Sequence, residues 1–369
     1  MKSLELFSGT GGLAKGLELA GFKHMAFVEK DKFASLSLRE NFDPSIVFSG
    51  DVKDFDFSTL SGIDIVAGGP PCQPFSLGGK HKADEDHRDM FPYAIDAIEK
   101  LQPKAFIFEN VKGLLRSSFS DYFEYIILRL SYPDFQGGND WREHLIKLRQ
   151  LKHDKYSGIH YNVSFKLINA ANYGVPQVRE RVFIVGIRSD IDKVWSFPES
   201  THSLDRLLWD KFVTHSYWER HNLPIIKNDI IFKKLTKKYG FFEPVELPWQ
   251  TVRDALINVP DPLKKNDIED HTFRGGARVY PGHTGSYIDL PSKTLKAGGH
   301  GVPGGENMIR YEDESVRYFT IYEGKLIQTF PSDFKIIGAW GEAMRQIGNA
   351  VPVLLAKKIG QNLINLLNK

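Results

Sequence analysis

Apolar positions along the first half of the chain follow two rhythms that alternate. Residues 4–7 form a short apolar run ending in a glycine-rich turn, after which Leu13, Leu17 and Ala20 return at the spacing of a helix face. Further strand-like runs lie at residues 25–29, 63–67 and 105–109, with helical periodicity over 93–101 between the last two. Residues 163–170 and 182–187 add two more. Strand and helix in alternation predict an α/β fold, a doubly wound and mostly parallel sheet with helices on both faces. From about residue 195 the rhythm gives way to aromatic and Pro/Gly-rich segments, which predicts a second, smaller and irregular domain. Residues 351–367 close the chain as an amphipathic helix. The boundaries drawn on this basis are 1–195 plus 340–369 for the first domain and 196–339 for the second. The stretch 117–158 carries no functional signal.

The length of 369 residues suits two domains, and 41% apolar with 25% charged residues excludes a disordered or collagen-like chain. No run of eighteen apolar residues occurs, so nothing predicts a membrane span, and a cytoplasmic protein is expected. The single cysteine, Cys72, excludes an internal disulfide and a multi-cysteine zinc cluster. Twelve histidines show no ligand spacing, so no metal is expected. The formal charge of +2 hides an uneven distribution: residues 141–240 hold 18 Lys/Arg against 10 Asp/Glu, whereas residues 1–140 hold 15 against 21. Such a surplus permits a nucleic-acid partner without requiring one.

Chemistry concentrates at the ends of the predicted strands. Phe7-Ser8-Gly9-Thr10-Gly11-Gly12-Leu13 would let backbone approach a ligand at a helix N-terminus. By itself such a turn serves a dinucleotide, a nucleoside or no ligand. Glu29 and Asp51 sit at two further strand ends and outline an adenosine-like pocket, without deciding between a nicotinamide and a sulfonium methyl donor. The segment Gly68-Gly69-Pro70-Pro71-Cys72-Gln73-Pro74-Phe75-Ser76 places the only thiol just past a strand, in a turn framed by proline, where a reactive role outweighs simple packing. Gly78, Gly79, Lys80, His81 and Lys82 follow, a hinged and cationic stretch suited to phosphate.

With these motifs the sequence resembles the DNA cytosine-5 methyltransferases, in the family's order and over most of the chain. The Phe-Ser-Gly-x-Gly-Gly turn, Glu29 with Asp31 and Asn41, Gly50-Asp51, Pro70-Pro71-Cys72-Gln73, Phe108-Glu109-Asn110-Val111 and Gln177-Val178-Arg179-Glu180-Arg181 look like its successive motifs. Arg317 with Gln328-Thr329-Phe330-Pro331, and Gly348-Asn349-Ala350-Val351, look like the last two. The stretches 117–158 and about 195–290 are unlike the shared pattern, the latter being where target recognition varies in this family.

The resemblance implies methyl transfer from S-adenosylmethionine to carbon 5 of a cytosine flipped out of duplex DNA. Catalytic residues would be Cys72, Glu109, Asn110, Arg179 and Arg181. Cys72 would attack carbon 6, and Glu109, desolvated at the end of an apolar strand and carrying a proton, would bond ring nitrogen 3. Arg181 would contact the base oxygen, with Arg179 nearer the phosphates or orienting the site, and the Pro70 carbonyl would accept from the exocyclic amine. The cofactor pocket would comprise Phe7, Ser8, Gly9, Thr10, Gly11, Gly12, Glu29, Lys30, Asp51, Val52, Pro71, Asn349 and Val351. DNA contacts would come from Gln73, Ser76, Gly78, Lys80, Arg274, Arg278, Thr294, Lys296 and His300. Many relatives have a serine where Gly78 stands, so the side chain that fills the emptied stack must come from elsewhere. The implied partners are double-stranded DNA and, genetically, a restriction endonuclease of the same specificity, with the enzyme acting as a monomer. Three alternatives stand beside this reading: a transfer-RNA cytosine methyltransferase with a very similar motif set, a DNA-binding relative without chemistry, and a nicotinamide oxidoreductase resting on the glycine-rich turn alone.

Overall fold

A computed structural model describes residues 1–71, 89–151, 156–297 and 305–368. The chain divides into two compact units. The first comprises Met1–Ile168, Glu180–Phe197 and Ile359–Lys369, and the second comprises Asn169–Arg179 and Pro198–Lys358.

The first unit is built on seven strands: β1 (Lys2–Leu6), β2 (Lys23–Glu29), β3 (Val47–Ser49), β4 (Ile65–Gly68), β5 (Ala105–Val111), β6 (Tyr161–Asn169) and β7 (Glu180–Arg188). Helices α1 (Gly12–Ala20), α2 (Lys32–Asn41), α3 (Phe91–Leu101), α4 (Ser120–Ser131) and α5 (Trp141–Arg149) intervene. The sheet runs in the order β3-β2-β1-β4-β5-β7-β6. The pairs from β3 through β5 are parallel, and β7 enters antiparallel beside β5. All four residues of β4, and Ala105 to Asn110 of β5, are buried, as central strands covered on both faces require. The doubly wound, mostly parallel sheet expected from the alternation is therefore present. Strand order reverses between β1 and β4, and ligands of open α/β sheets bind in the crevice at the carboxyl ends of strands at such a switch point. At that crevice a β-carbon on Gly68 would lie 2.1 Å from the Leu6 carbonyl oxygen, so the ends of β1 and β4 meet only because Gly68 has no side chain.

The second unit is irregular. It holds the pair β8 (His202–Ser203) and β9 (Leu247–Pro248), and a small sheet of β10 (Ser286–Tyr287), β11 (Met308–Arg310) and β12 (Val316–Tyr318). Its helices are α6 (Leu204–Phe212), α7 (Ser216–Arg220), α8 (Asp229–Tyr239), α9 (Val252–Ala255), α10 (Ile321–Ile327) and α11 (Trp340–Asn349). The last helix, α12 (Val353–Asn368), crosses the division: the return to the first unit falls at Ile359, not at residue 340. Residues 169–179 also cluster with the second unit, although they sit between two strands of the large sheet. No helix among the described residues is long and apolar enough to cross a membrane.

Candidate active site

At the end of β1 the backbone of Phe7 takes a left-handed φ of 50°, unusual for a side chain of this size, and turns the chain into the glycine-rich loop. Ser8 Oγ donates to the Glu5 carbonyl at 2.8 Å. Glu29, at the end of β2, then fastens two neighbouring segments: Gly9 N–H donates to Oε2 at 2.6 Å and Asp31 N–H to Oε1 at 2.7 Å. Burial raises the Glu29 pKa, and these backbone donors act against the rise. A β-carbon at Gly9 would meet nothing within 4 Å, whereas one at Gly11 would lie 2.9 Å from the Phe42 ring. Gly9 therefore faces open space, and Gly11 serves packing against protein, not the ligand approach expected for every glycine of the turn. Thr10 is 2% exposed and its Oγ1 has no hydrogen-bond partner among the described residues. Gly12 is the first residue of α1 and is buried.

Asp51 follows β3 and caps the short turn behind it, accepting from Lys53 N–H at 3.1 Å. The exposed Lys30 ammonium pairs with it at 2.8 Å, and that hydrogen bond is the main cause holding the Asp51 carboxyl below its ordinary pKa. Val52 is a core residue, 4% exposed, so its side chain belongs to packing.

The ends of β4 and β5 bring the second set together. Asn110 Nδ2 donates to the Pro70 carbonyl at 2.9 Å, and Met90 N–H donates to the Pro71 carbonyl at 3.1 Å. The two prolines before Cys72 are thus held by the strand beside them and by the start of α3. Arg181 stands directly opposite Val111 across the antiparallel pair, and Glu109 opposite Phe183. Opposed residues share a sheet face, so Arg181 and Glu109 are diagonal neighbours, close enough for long side chains. Arg181 Nε lies 2.8 Å from Glu109 Oε1. Glu109 is 8% exposed, and its Oε2 is 3.5 Å from where a β-carbon on Gly69 would be. The desolvated strand end expected for Glu109 is thus shared with the Arg181 guanidinium. Cys72, Gln73, Ser76, Gly78 and Lys80 lie outside the described residues, as does His300.

In the second unit Arg179 is 1% exposed, donating to the Gly348 carbonyl at 2.8 Å and the Leu295 carbonyl at 3.3 Å. A side chain so enclosed reaches no phosphate; of the two roles expected for it, orienting the surrounding main chain is the one its geometry permits. Gln177 accepts from Leu295 N–H at 2.9 Å and donates to Gln328 Oε1 at 3.0 Å, and Gln328 donates to the Ile347 and Ala350 carbonyls. This buried amide pair ties residues 177, 295, 328 and 350 into one lattice. Sequence reasoning assigned neither glutamine a role, since their partners are far apart in the chain.

Several residues expected to face DNA have partners within the protein. Thr294 Oγ1 donates to the Val178 carbonyl at 2.8 Å, Lys296 pairs with Glu306 at 2.7 Å, and the Arg274 guanidinium stacks 4.3 Å over the Trp340 ring. Lys296 and Arg274 remain exposed, as does Arg278. Asn349 is exposed at the end of α11, and Val351 is 7% exposed. Among the described residues no three His, Cys, Asp or Glu side chains gather as a metal site would require.

A family profile described as C-5 cytosine-specific DNA methylase matches residues 1–137 and 143–365. The chain is 33% identical over 383 residues to the Type II methyltransferase M.PspPI of Psychrobacter sp. (strain TA137), covering 99% of this chain and 79% of that protein. It is 29% identical to the Type II methyltransferase M.NgoMIV of Neisseria gonorrhoeae, covering 100% and 98% respectively. Among solved structures, the S. pombe Dnmt2 methyltransferase superposes with a TM-score of 0.59 over 100% of this chain and 98% of its own, at 16% identity, a likeness of fold. With the profile spanning nearly its whole length over a doubly wound sheet of this order, the chain belongs to the C-5 cytosine-specific DNA methylases.

Proposed function

We propose that this protein is a modification methyltransferase that methylates carbon 5 of cytosine within a short duplex DNA sequence, with a restriction endonuclease of the same specificity as its genetic partner. It acts as a monomer in the cytoplasm. The observation that carries the reading is the cluster at the ends of β4, β5 and β7: a buried carboxyl group, a guanidinium and a proline carbonyl gathered immediately before the only cysteine. The Type II methyltransferases similar to the chain along its whole length support duplex DNA as substrate.

The loop after β1 fits S-adenosylmethionine, since open space at Gly9 adjoins a buried Thr10 hydroxyl with no partner among the described residues. When bound, this cofactor supplies an electrophilic methyl group on a positively charged sulfur. The Glu29 oxygens accept from backbone N–H groups, Gly9 and Asp31 foremost, and keep lone-pair capacity for a ribose hydroxyl. Asp51, kept ionised by Lys30, accepts from the adenine amine. Phe7 and Ser8 shape the turn, Thr10, Gly11 and Gly12 lead into α1, and Pro71 closes the pocket toward the base.

Cys72 acts on the base. Its thiolate forms a bond to carbon 6, and the electron pair of the 5,6 double bond moves onto carbon 5 and toward nitrogen 3 and the ring oxygen. Glu109 holds a proton in a hydrogen bond to nitrogen 3. Arg181 has donors beyond the one facing Glu109, and these hold the ring oxygen as charge builds there. The Pro70 carbonyl gives one lone pair to Asn110 and its second to the exocyclic amine, an interaction that uracil lacks. After carbon 5 has gained the methyl group it loses its proton to a base, the sulfur–carbon 6 bond breaks, and the thiolate leaves with its electron pair. The second unit reads the target sequence, with Arg274, Arg278, Thr294, Lys296 and His300 in the reading loops.

Bisulfite sequencing of DNA from cells expressing the chain tests the proposal. Methylated cytosines confined to one short motif are expected, and Cys72→Ser should abolish them and the covalent adduct on 5-fluorocytosine DNA. Methylation of transfer RNA with none on duplex DNA would overturn it.

A further inference from the structure

Helix α8 and the turn after it present a surface that neither the cofactor loop nor the base-handling cluster uses. Only Leu235 of α8 is buried. At 3.6 residues per turn, Leu235, Tyr239, Ile231 and Phe232 share one side of the helix, and that side packs on α6, where Tyr239 donates to Asp205 at 2.8 Å. Lys233, Lys234 and Lys237 fall on the other side, exposed, and their ammonium groups make no hydrogen bond or ion pair with any described residue. Lys238, at the edge, pairs with Asp205 at 2.6 Å. Residues 225–242 hold five lysines and one aspartate. Two pairs, Lys233 with Lys237 and Lys234 with Lys238, are four apart, where like charges repel along a helix.

Beside these cations the chain turns at Gly240 and exposes Phe241 at 102% and Phe242 at 84%, with Ile230 at 82% at the other end of the helix. A membrane-surface helix keeps a free apolar face between its basic flanks. Here that face is largely spent on α6, with Phe232 43% exposed at its edge, and the free face carries the lysines with Ile230 as its one apolar side chain. Unpaired ammonium groups along about 16 Å of helix, next to bare aromatic rings, match a duplex instead: about five phosphates of one strand lie along that length, with sugars and base edges between them.

We propose that α8 with the Phe241 and Phe242 turn forms a duplex-DNA contact outside the recognition loops, with the lysines on phosphates and the rings against the groove wall. The inference rests on the DNA reading above and extends it by a sequence-independent anchor. It is tested with the full-length protein and a fluorescein-labelled 30-base-pair duplex of arbitrary sequence, by anisotropy between 50 and 200 mM KCl. The triple variant Lys233→Ala, Lys234→Ala, Lys237→Ala should flatten the slope of log affinity against log salt by about 2 to 3, since each phosphate contact contributes about 0.9. The double variant Phe241→Ala, Phe242→Ala should weaken binding about five- to tenfold at fixed salt and leave the slope alone.

All five side chains are exposed, so circular dichroism and melting temperature should match wild type. An unchanged slope in the triple variant overturns the proposal. So does a loss of self-association on sedimentation with an unchanged slope, which would assign the surface to a second copy of the chain. Methyl transfer by the wild type to unmethylated bacterial DNA is measured alongside. If the wild type methylates and the slopes agree, only the anchor falls; if the wild type transfers no methyl group to DNA, the earlier reading falls.

Discussion

Replacing Asn110 by alanine removes two hydrogen bonds, one accepted from Val111 N–H and one donated to the Pro70 carbonyl two residues before Cys72. The Pro70 carbonyl is buried, and Asn110 Nδ2, 2.9 Å away on a side chain 6% exposed, is its donor. A buried acceptor left without a donor costs about 1–3 kcal/mol. In a unit of roughly 200 residues each kcal/mol moves the melting temperature by about 2–4 °C, so a fall of about 2–12 °C is expected. The catalytic effect should be larger, because a displacement of about 1 Å in a reacting group can cost about 100-fold in rate. It should appear in kcat, since the bond lost to Pro70 is the one that holds the turn before Cys72. Asn110→Asp sharpens the argument by putting an acceptor where a donor stood, facing the carbonyl. That variant should be less stable than Asn110→Ala at pH 8. Its carboxyl binds a proton more tightly folded than unfolded, because the protonated form donates to Pro70, so stability is lost as pH rises and regained as pH falls. Thermal unfolding at pH 5.5 and 8, with single-turnover trapping on 5-fluorocytosine DNA, measures both effects. A melting temperature within 1 °C of wild type in Asn110→Ala, with unchanged trapping, would refute the claim that this bond positions the proline turn.

Three further outcomes follow from particular contacts. Thr10→Val removes a buried hydroxyl that has no hydrogen-bond partner among the described residues, so stability without cofactor should rise by about 1 kcal/mol while affinity for S-adenosylmethionine falls about tenfold by calorimetry; losses in both would show the hydroxyl is already satisfied. Gly348→Ala puts a β-carbon 2.5 Å from the Ala297 amide nitrogen, and should cost about 1–3 kcal/mol and weaken DNA binding in gel-shift assays. Burial lowers the Lys211 pKa to about 8 against about 10.4 unfolded, so between those pH values the unfolded chain binds more protons and wild-type stability should rise with pH. The rise is at most about 3 kcal/mol, because the Tyr217 and Trp218 rings, 4.8 and 5.0 Å from the ammonium, favour its charged form; chemical denaturation from pH 8 to 10 should show it in wild type and not in Lys211→Met.

The parts of the molecule that were legible in the sequence are those whose signal is local. Strands β1, β4 and β5 announce themselves as short apolar runs, because parallel strands covered on both faces tolerate little else, and the glycine and proline turns beyond them mark the end of the sheet where ligands bind. What was not legible depends on distant partners. Strand β5 continues through the polar residues Glu109 and Asn110 because β7 pairs with them, and nothing in the alternation revealed that β7 would enter antiparallel. Arg179 and Arg181 look equivalent in the chain, two residues apart and flanking a glutamate. One meets Glu109, and the other is sealed against the carbonyls of Leu295 and Gly348, which lie 116 and 169 positions away. The division at Ile359 is hidden for a related reason. Helix α12 is one uninterrupted helix, and its apolar period runs through the boundary unchanged while the neighbours it packs against differ on either side. Gly360, just past that point, is close-packed against Leu17 and Ala20 of α1, so the boundary lies in which surfaces accept the helix and not in any break of its pattern.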